Sequence, residues 1–401
     1  MRLSTANSYD ATIATLQRRQ QEMSDAQVQL TTGKRVNRAS DDPTAAARAE
    51  RARATQSRAD AGKRAADASQ NAMQLTESAL GDASDLLQQA RESLVAAGNG
   101  SYSDADRSTL ATKLTELRRQ LLSVANRTDG AGTYLFGGQG AATPPFVDTA
   151  AGVQYRGVGG QIGVASDETL PITTDGQATW LQAPTGNGVV RTSALVQNGS
   201  AWIDAGGVSN PALVTGATYT IDFSVAAGAT TYTVLKNGAP MVPPVANQPF
   251  TSGTAITVDG LSATITGAPA NGDQFQLAPS TPTQSVFNAL DSAIQALSTP
   301  GLSKAQVQQG VNGGIRDIDS VMGRMQSVRA SVGETLNRID NVTSRLADQK
   351  LSAKGEESQA EDLDMVKAIS DFQNQQSGYD AALKSYSMVQ RLSLFQYLNG
   401  G

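Results

Sequence analysis

Apolar residues near the N-terminus recur at alternating steps of four and three: Tyr9, Ile13, Leu16, Gln20, Met23, Gln27 and Leu30. A stripe this narrow, broken by glutamines, suits a coiled-coil seam better than the broad face of a globular helix. So weak an apolar face does not sustain an isolated helix in water, so this arm is expected to be disordered without partners. Gly33 fits the position that ends a helix, and Asp42-Pro43 fits an N-cap followed by a first helical residue. From Thr44 to about Ala97 the chain is alanine-rich and free of proline. That predicts one long helix, striped in its second half by Ala72, Leu75, Ala79, Leu86, Ala90 and Leu94. A turn at Gly98-Asn99-Gly100-Ser101 leads to a further helix carrying Leu110, Leu114, Leu117, Leu121 and Val124.

The C-terminal side mirrors this pattern. Ile318, Met325, Val332, Ile339 and Leu346 recur at heptad spacing, with Val321, Val328, Thr335 and Val342 three positions after the first four. After Gly355 a last helix is predicted, carrying Met365, Ile369, Phe372, Gln376, Tyr379, Leu383 and Tyr386, with Val389, Leu392 and Phe395 extending the apolar face. Gln376 matches Gln20 and Gln27 as polar residues in the seam, where such residues can fix register.

Between these arms the period changes to two. Tyr219-Thr-Ile221-Asp-Phe223-Ser-Val225 reads as a strand with one buried face, and Asn237-Gly238 and Asp259-Gly260 read as hairpin turns. Ile256, Val258, Leu261, Ala263, Ile265, Phe275 and Leu277 supply further short strands, and 140–200 is β-like but less regular. The fold class expected is mainly α with inserted β. Both chain ends build a long-helix coiled coil or bundle, around a central all-β insertion of one or two modules. The domains are drawn as terminal arms 1–43 plus 355–401, a helix bundle 44–136 plus 284–354, and β modules 137–205 and 206–283.

Composition sharpens these boundaries. Of the 14 prolines, 12 lie between Pro144 and Pro282, as do both tryptophans, and 21 of the 38 glycines lie in 137–283, so proline, the strongest helix breaker, is concentrated in the insertion. Net charge is −5. The insertion carries 3 basic and 8 acidic residues, residues 1–62 carry 10 and 7, and residues 355–401 carry 3 and 7. The two ends are therefore oppositely charged, and no general pull toward nucleic acid or membrane is expected. The first residues lack the apolar run of a secretory leader, and no stretch reaches the roughly 18 apolar residues of a membrane span.

The chain has no cysteine and no histidine. That excludes Cys/His zinc sites, thiol redox centres, cysteine nucleophiles and Ser-His-Asp triads, and it excludes disulfides. Gly157, Gly159, Gly160 and Gly163 nearly form a dinucleotide loop, but no βαβ unit follows and they read as a glycine-rich turn. The insertion's carboxylates have no spacing that marks a glycosidase pair. The basic run Arg48, Arg51, Arg53, Arg58, Lys63 and Arg64 lacks interleaved aromatics and reads as a solvated or intersubunit helix face. No catalytic, cofactor-binding or metal-binding residue is assigned. The expected interface is Tyr9, Ile13, Leu16, Met23 and Leu30 with Met365, Ile369, Phe372, Tyr379, Leu383, Tyr386, Leu392 and Phe395.

The segment Leu30-Thr-Thr-Gly33-Lys34-Arg35-Val36-Asn37-Arg38-Ala39-Ser40-Asp41-Asp42-Pro43 resembles the N-terminal signature of the flagellin superfamily, L-x-x-G-x-R-[VI]-x-x-x-x-D-D-P. Gly33, Arg35, Asp41, Asp42 and Pro43 stand at its matching positions. Ala125-Asn126-Arg127-Thr128 with Gly132-Thr133-Tyr134-Leu135-Phe136-Gly137-Gly138 is similar to the family's exit from the helical domain. The opening Met1-Arg2-Leu3-Ser4-Thr5 and the end Ser393-Leu394-Phe395-Gln396-Tyr397-Leu398 look more like hook-associated members than filament-forming ones, although Asn399-Gly400-Gly401 departs from the usual basic ending.

The resemblance implies a structural adaptor of the extracellular bacterial flagellum, at the hook–filament junction, and not an enzyme. It implies export of an unfolded chain by the flagellar type III apparatus, with a chaperone that binds the C-terminal segment. Implied partners are further copies in a ring, hook-associated protein 1 and flagellin, with no nucleic acid and no membrane. Two other readings stay open: a filament subunit, or a surface-displayed carbohydrate-binding β module on a helical stalk.

Overall fold

The computed structural model describes the backbone of residues 3–164 and 168–398, with side chains over 10–163 and 168–388. The helices are α1 Leu3–Thr32, α2 Pro43–Ala97, α3 Asp104–Ala125, α4 Gly176–Trp180, α5 Val286–Ser298, α6 Lys304–Glu361 and α7 Met365–Leu398. All described strands lie between α3 and α5, so the chain is helical at both ends with an inserted antiparallel β region. None of the helices, over the described residues, is long and apolar enough to cross a membrane. The chain divides into two compact units, residues 1–64 with 342–401 and residues 65–341.

The larger unit contains most of the bundle and the whole insertion. Within it α2 and α6 run antiparallel, tied by Glu77–Arg329 at 2.5 Å and Arg91–Asp319 at 2.6 Å. Leu80, Leu87 and Leu94 are buried on α2, and Ile318, Val321, Met325, Val332 and Ile339 on α6. The heptad positions of α6 thus form its core face. Gly314 lets the helices close: a Cβ there would stand 3.0 Å from the Leu94 side chain. α3 begins with a capping box between Ser103 and Asp106 and packs on α5.

Two short hairpins follow α3. β1 Phe146–Thr149 pairs with β2 Gly152–Tyr155, and β3 Gly163–Val164 pairs with β4 Leu170–Pro171. Their core is aromatic. Trp180, fully buried, stacks on Phe287 at 6.0 Å and meets the edge of Phe136 at 5.3 Å, while Phe146 packs against Trp180 at 6.1 Å. Asn126 fixes Phe146, accepting from its N–H at 2.9 Å and donating to its carbonyl at 2.8 Å.

The rest of the insertion is a pair of sheets enclosing Tyr219, Ile221, Phe223, Ile256, Leu261, Ile265, Phe275 and Leu277. One sheet joins β5 Val190–Val196, β8 Tyr219–Ala226, β9 Ala229–Lys236, β10 Ala239–Pro240, β11 Gln248–Pro249 and β14 Gln274–Pro279. The other joins β6 Trp202–Ile203, β7 Gly207–Val208, β12 Ala255–Val258 and β13 Leu261–Thr266. Asn237-Gly238 and Asp259-Gly260 have positive φ throughout, at 51°, 78°, 41° and 77°, and make the tight hairpins that the sequence predicts. This β body begins and ends as one backbone pair: Ala183 and Gln284 exchange N–H···O bonds at 3.0 and 2.9 Å.

Two expectations need correction. The β modules do not divide near residue 205, because β5 and β6 precede it yet pair with β14 and β13 beyond it. Those partners are distant in sequence, so local alternation cannot reveal them. Nor does a helix break at Gly355. α6 runs through it to Glu361, and the break falls at Asp362–Asp364, where Asp364 accepts from the N–H groups of Val366 and Lys367, both at 3.1 Å. A mid-helix glycine costs only about 1 kcal/mol, which a packed helix absorbs.

Candidate assembly site

The smaller unit holds nearly every residue that the sequence singles out. α1 and α7 pack against one another, and the end of α1 meets the start of α7: Lys34 and Asp362 form an antiparallel bridge. The Arg19 guanidinium crosses Gly378, where a Cβ would lie 2.6 Å from its Nη1. The two helices therefore run antiparallel.

Their heptad residues sort into two rows. Leu16, Met23 and Leu30 on α1, and Phe372, Tyr379 and Tyr386 on α7, are half-buried. The other row of each seam, Ile13, Gln20 and Gln27 with Ile369, Gln376 and Leu383, is exposed. Met365, Val366 and Val28 are exposed as well. The α1–α7 pair thus covers one of the two heptad positions on each helix and leaves the second, which a full coiled-coil seam also buries, open to solvent. The side chains of Tyr9, Leu392 and Phe395 lie outside the described residues. Where the sequence put Gln20, Gln27 and Gln376 in the seam, the structure puts Gln375, whose Oε1 is buried with no hydrogen-bond partner.

The glycine-to-proline motif forms the joint between α1 and α2, and it is tied to the joint between α6 and α7. Gly33, at φ 69°, terminates α1, its N–H reaching the Gln29 carbonyl at 2.8 Å. The Arg35 N–H donates to the Glu361 carbonyl at 2.6 Å, and the Leu363 N–H donates to the Gly33 carbonyl at 3.0 Å. Arg35 reaches the Ala360 carbonyl with Nη2 at 2.9 Å and Asp42 with Nη1 at 3.1 Å. Val36 is buried against Ala45, Ala49 and Ala360.

The two adjacent acids of the motif have separate tasks. Asp41 accepts from the N–H groups of Asn37 and Arg38 and shapes the loop; Asp42 accepts from those of Thr44 and Ala45 and caps α2. Those N–H donors hold both carboxyls below the ordinary aspartate range, with Arg38 the first cause at Asp41 and Ala45 at Asp42.

Sequence reasoning missed the other half of this joint. Glu361 is buried and takes Lys34 Nζ at 2.7 Å together with Arg53. Arg53 also meets Glu357 at 2.8 Å and Glu50 at 2.6 Å. Gln56 and then Arg53 hold the Glu357 carboxyl below its ordinary value, and Glu357 in turn raises Arg53. Arg53 stood in the basic run as one of several solvated arginines, and only contact with residues some 300 positions away distinguishes it.

The family model for the bacterial flagellin N-terminal helical region matches residues 3–141, and that for the C-terminal helical region matches residues 315–398. Together they cover more than half of the chain. The chain belongs to the flagellin family. Among flagellin-family proteins it is 27% identical to flagellar hook-associated protein 3 of Salmonella typhimurium, over 99% of both chains. The crystal structure of flagellar hook-associated protein 3 from Legionella pneumophila matches with a TM-score of 0.72 at 27% identity, over 76% of this chain and 97% of that one. Xanthomonas campestris FlgL matches with a TM-score of 0.68 at 30% identity, over 77% and 99%. The family regions take in the whole joint and both terminal helices, and leave the β body outside.

Proposed function

We propose that this chain is a structural, non-enzymatic component of the bacterial flagellum that acts as the adaptor between hook and filament. The full-length likeness to hook-associated protein 3 supports this over a filament subunit. A flagellar filament core protein of Brachyspira hyodysenteriae, by contrast, aligns with only 28% of the chain. The observation that carries the mechanism is the unused heptad row. Ile13, Ile369 and Leu383 remain more than two-fifths exposed on helices already paired through their other row. Full burial of such a side chain from full exposure is worth about 1.5–3 kcal/mol; with over half of their surface already covered, roughly 1 kcal/mol at each is left unmade by one chain and recovered by a ring of copies.

In this reading the terminal pair is the axial inner layer, and Gln20, Gln27 and Gln376 set register between copies. Hook-associated protein 1 lies on one side of the ring and flagellin on the other, outside the cell. The chain reaches that place unfolded, through the flagellar export apparatus with a chaperone on its C-terminal segment. The terminal arms, the bundle and the β insertion are its proposed working parts. Electron microscopy of a deletion strain tests the adaptor role. Hooks without filaments, with monomeric flagellin in the medium, are expected; normal filaments in that strain overturn the proposal.

A further inference from the structure

Most aromatic side chains of the larger unit are spent in its cores, but Tyr102 and Trp202 are not. Tyr102 is 36% exposed on the turn after α2, and Trp202 is half-buried on β6. Both line a cavity of about 550 Å³, walled by the end of α2, the turn at 98–102, the strand at 200–202 and the first turn of α6. That size lies within the range of small-molecule sites. Its polar lining is Asn99, Ser200, Gln308, Arg107 and Lys304, with no carboxylate among the described lining residues. Arg107 is paired with Asp104, so Lys304 is the cation that the lining offers to a ligand.

Arg107 is the fixed part of that lining. Its side chain is 8% exposed, and Asp104 and the Tyr102 carbonyl occupy its Nη atoms, but its Nε is buried with no partner. That atom has no accessible surface, so Arg107 shapes the wall through its stem and its bonds and a ligand in the cavity does not reach Nε. Lys304, exposed in the first turn of α6, adds a mobile cation at the positive end of a 58-residue helix.

We propose that this cavity binds a carboxylate-bearing pyranose, an acidic sugar. The C–H face of the ring packs on Trp202 and Tyr102. The hydroxyls meet Asn99, Ser200 and Gln308 through the capacity that remains beside their bonds to Ser101, Ala268 and Asn312. The carboxylate meets Lys304. A flat aromatic acid meets the lysine but makes no use of the polar side chains, and a neutral sugar does the reverse.

Tryptophan fluorescence of the full-length protein provides the readout, because the second tryptophan, Trp180, is fully buried in the aromatic cluster. Titration with glucuronic acid and with N-acetylneuraminic acid is expected to give a saturable change for at least one of them, at millimolar concentration. Glucose and benzoate are expected to bind about tenfold more weakly, each lacking one set of charge-assisted or neutral hydrogen bonds. Lys304→Glu, a change at an exposed position, is expected to weaken acid binding by about tenfold or more. Trp202→Leu is expected to abolish the signal, with Lys304→Glu as the independent check should that variant fold poorly. No saturable change with either acid, equal binding of benzoate, or undiminished binding by Lys304→Glu overturns the proposal.

Discussion

Glu361→Ala isolates the joint that links the two terminal helices to the rest of the smaller unit. The wild-type carboxylate is buried and shared by Lys34 and Arg53. Both cations are about two-fifths exposed, so solvent recovers part of what each loses. A charge-assisted hydrogen bond to a buried group contributes about 1.5–3 kcal/mol. Discounting two such bonds for exposure leaves a net loss of about 2 kcal/mol. Alanine suits the end of a helix and removes no backbone bond, so the loss falls on opening of the joint.

Two amides report that opening, the Arg35 N–H on the Glu361 carbonyl and the Leu363 N–H on the Gly33 carbonyl. At tenfold per 1.4 kcal/mol, their hydrogen-exchange protection is expected to fall by about thirtyfold. Amides of β8 and β14, in the other unit, are expected to keep theirs. Unchanged protection at Arg35 and Leu363 refutes the reasoning, as does an equal loss in the β body, which would mean global destabilisation.

Leu383→Asp is expected to leave the isolated chain as helical as wild type by circular dichroism yet to abolish incorporation into purified flagella, because Leu383 sits on the exposed heptad row. Tyr379→Asp, on the half-buried row, is expected to loosen the α1–α7 pair in the monomer itself, read as faster proteolysis within 365–398. Trp180→Ala removes the centre of the aromatic cluster, and a loss of about 3–5 kcal/mol is expected in denaturant unfolding of the larger unit. The joint is also expected to weaken in acid. Asp41, Asp42 and Glu357 have depressed folded values, so their stabilisation is complete above the ordinary values of 3.8 and 4.5. It is lost as pH falls through the lower folded ones, which exchange at Arg35 across pH 3 to about 6 detects.

The helices were legible because their periodicity is local. The seven-residue spacing of Ile318 to Ile339 places their buried faces without knowledge of a partner. The motif was legible for a different reason: Gly33, Asp42 and Pro43 act on their own backbone, as chain terminator, cap and first helical residue. Val36, Arg53 and Glu361 were not, since each owes its role to chain more than 300 residues away or to packing against it. The same limit hid β5, which lay within the irregular β-like stretch 140–200 and whose partner is β14. Heptads, too, name two rows per helix without saying which row the chain itself fills.

The backbone pair at Ala183 and Gln284 has a consequence for how such a molecule can change. Hydrogen-bonded residues opposite one another on antiparallel strands have Cα atoms about 5.5 Å apart. About a hundred residues therefore leave the helical body and return to it through a gap that a two-residue hairpin can close. Anything with adjacent ends, from a bare turn to a foreign binding domain, can occupy that socket without moving α3, α5 or the aromatic cluster beside them. Natural variants can gain, lose or trade the whole β body in a single recombination event, and a designer can attach cargo there while the parts that join copies together keep their frame.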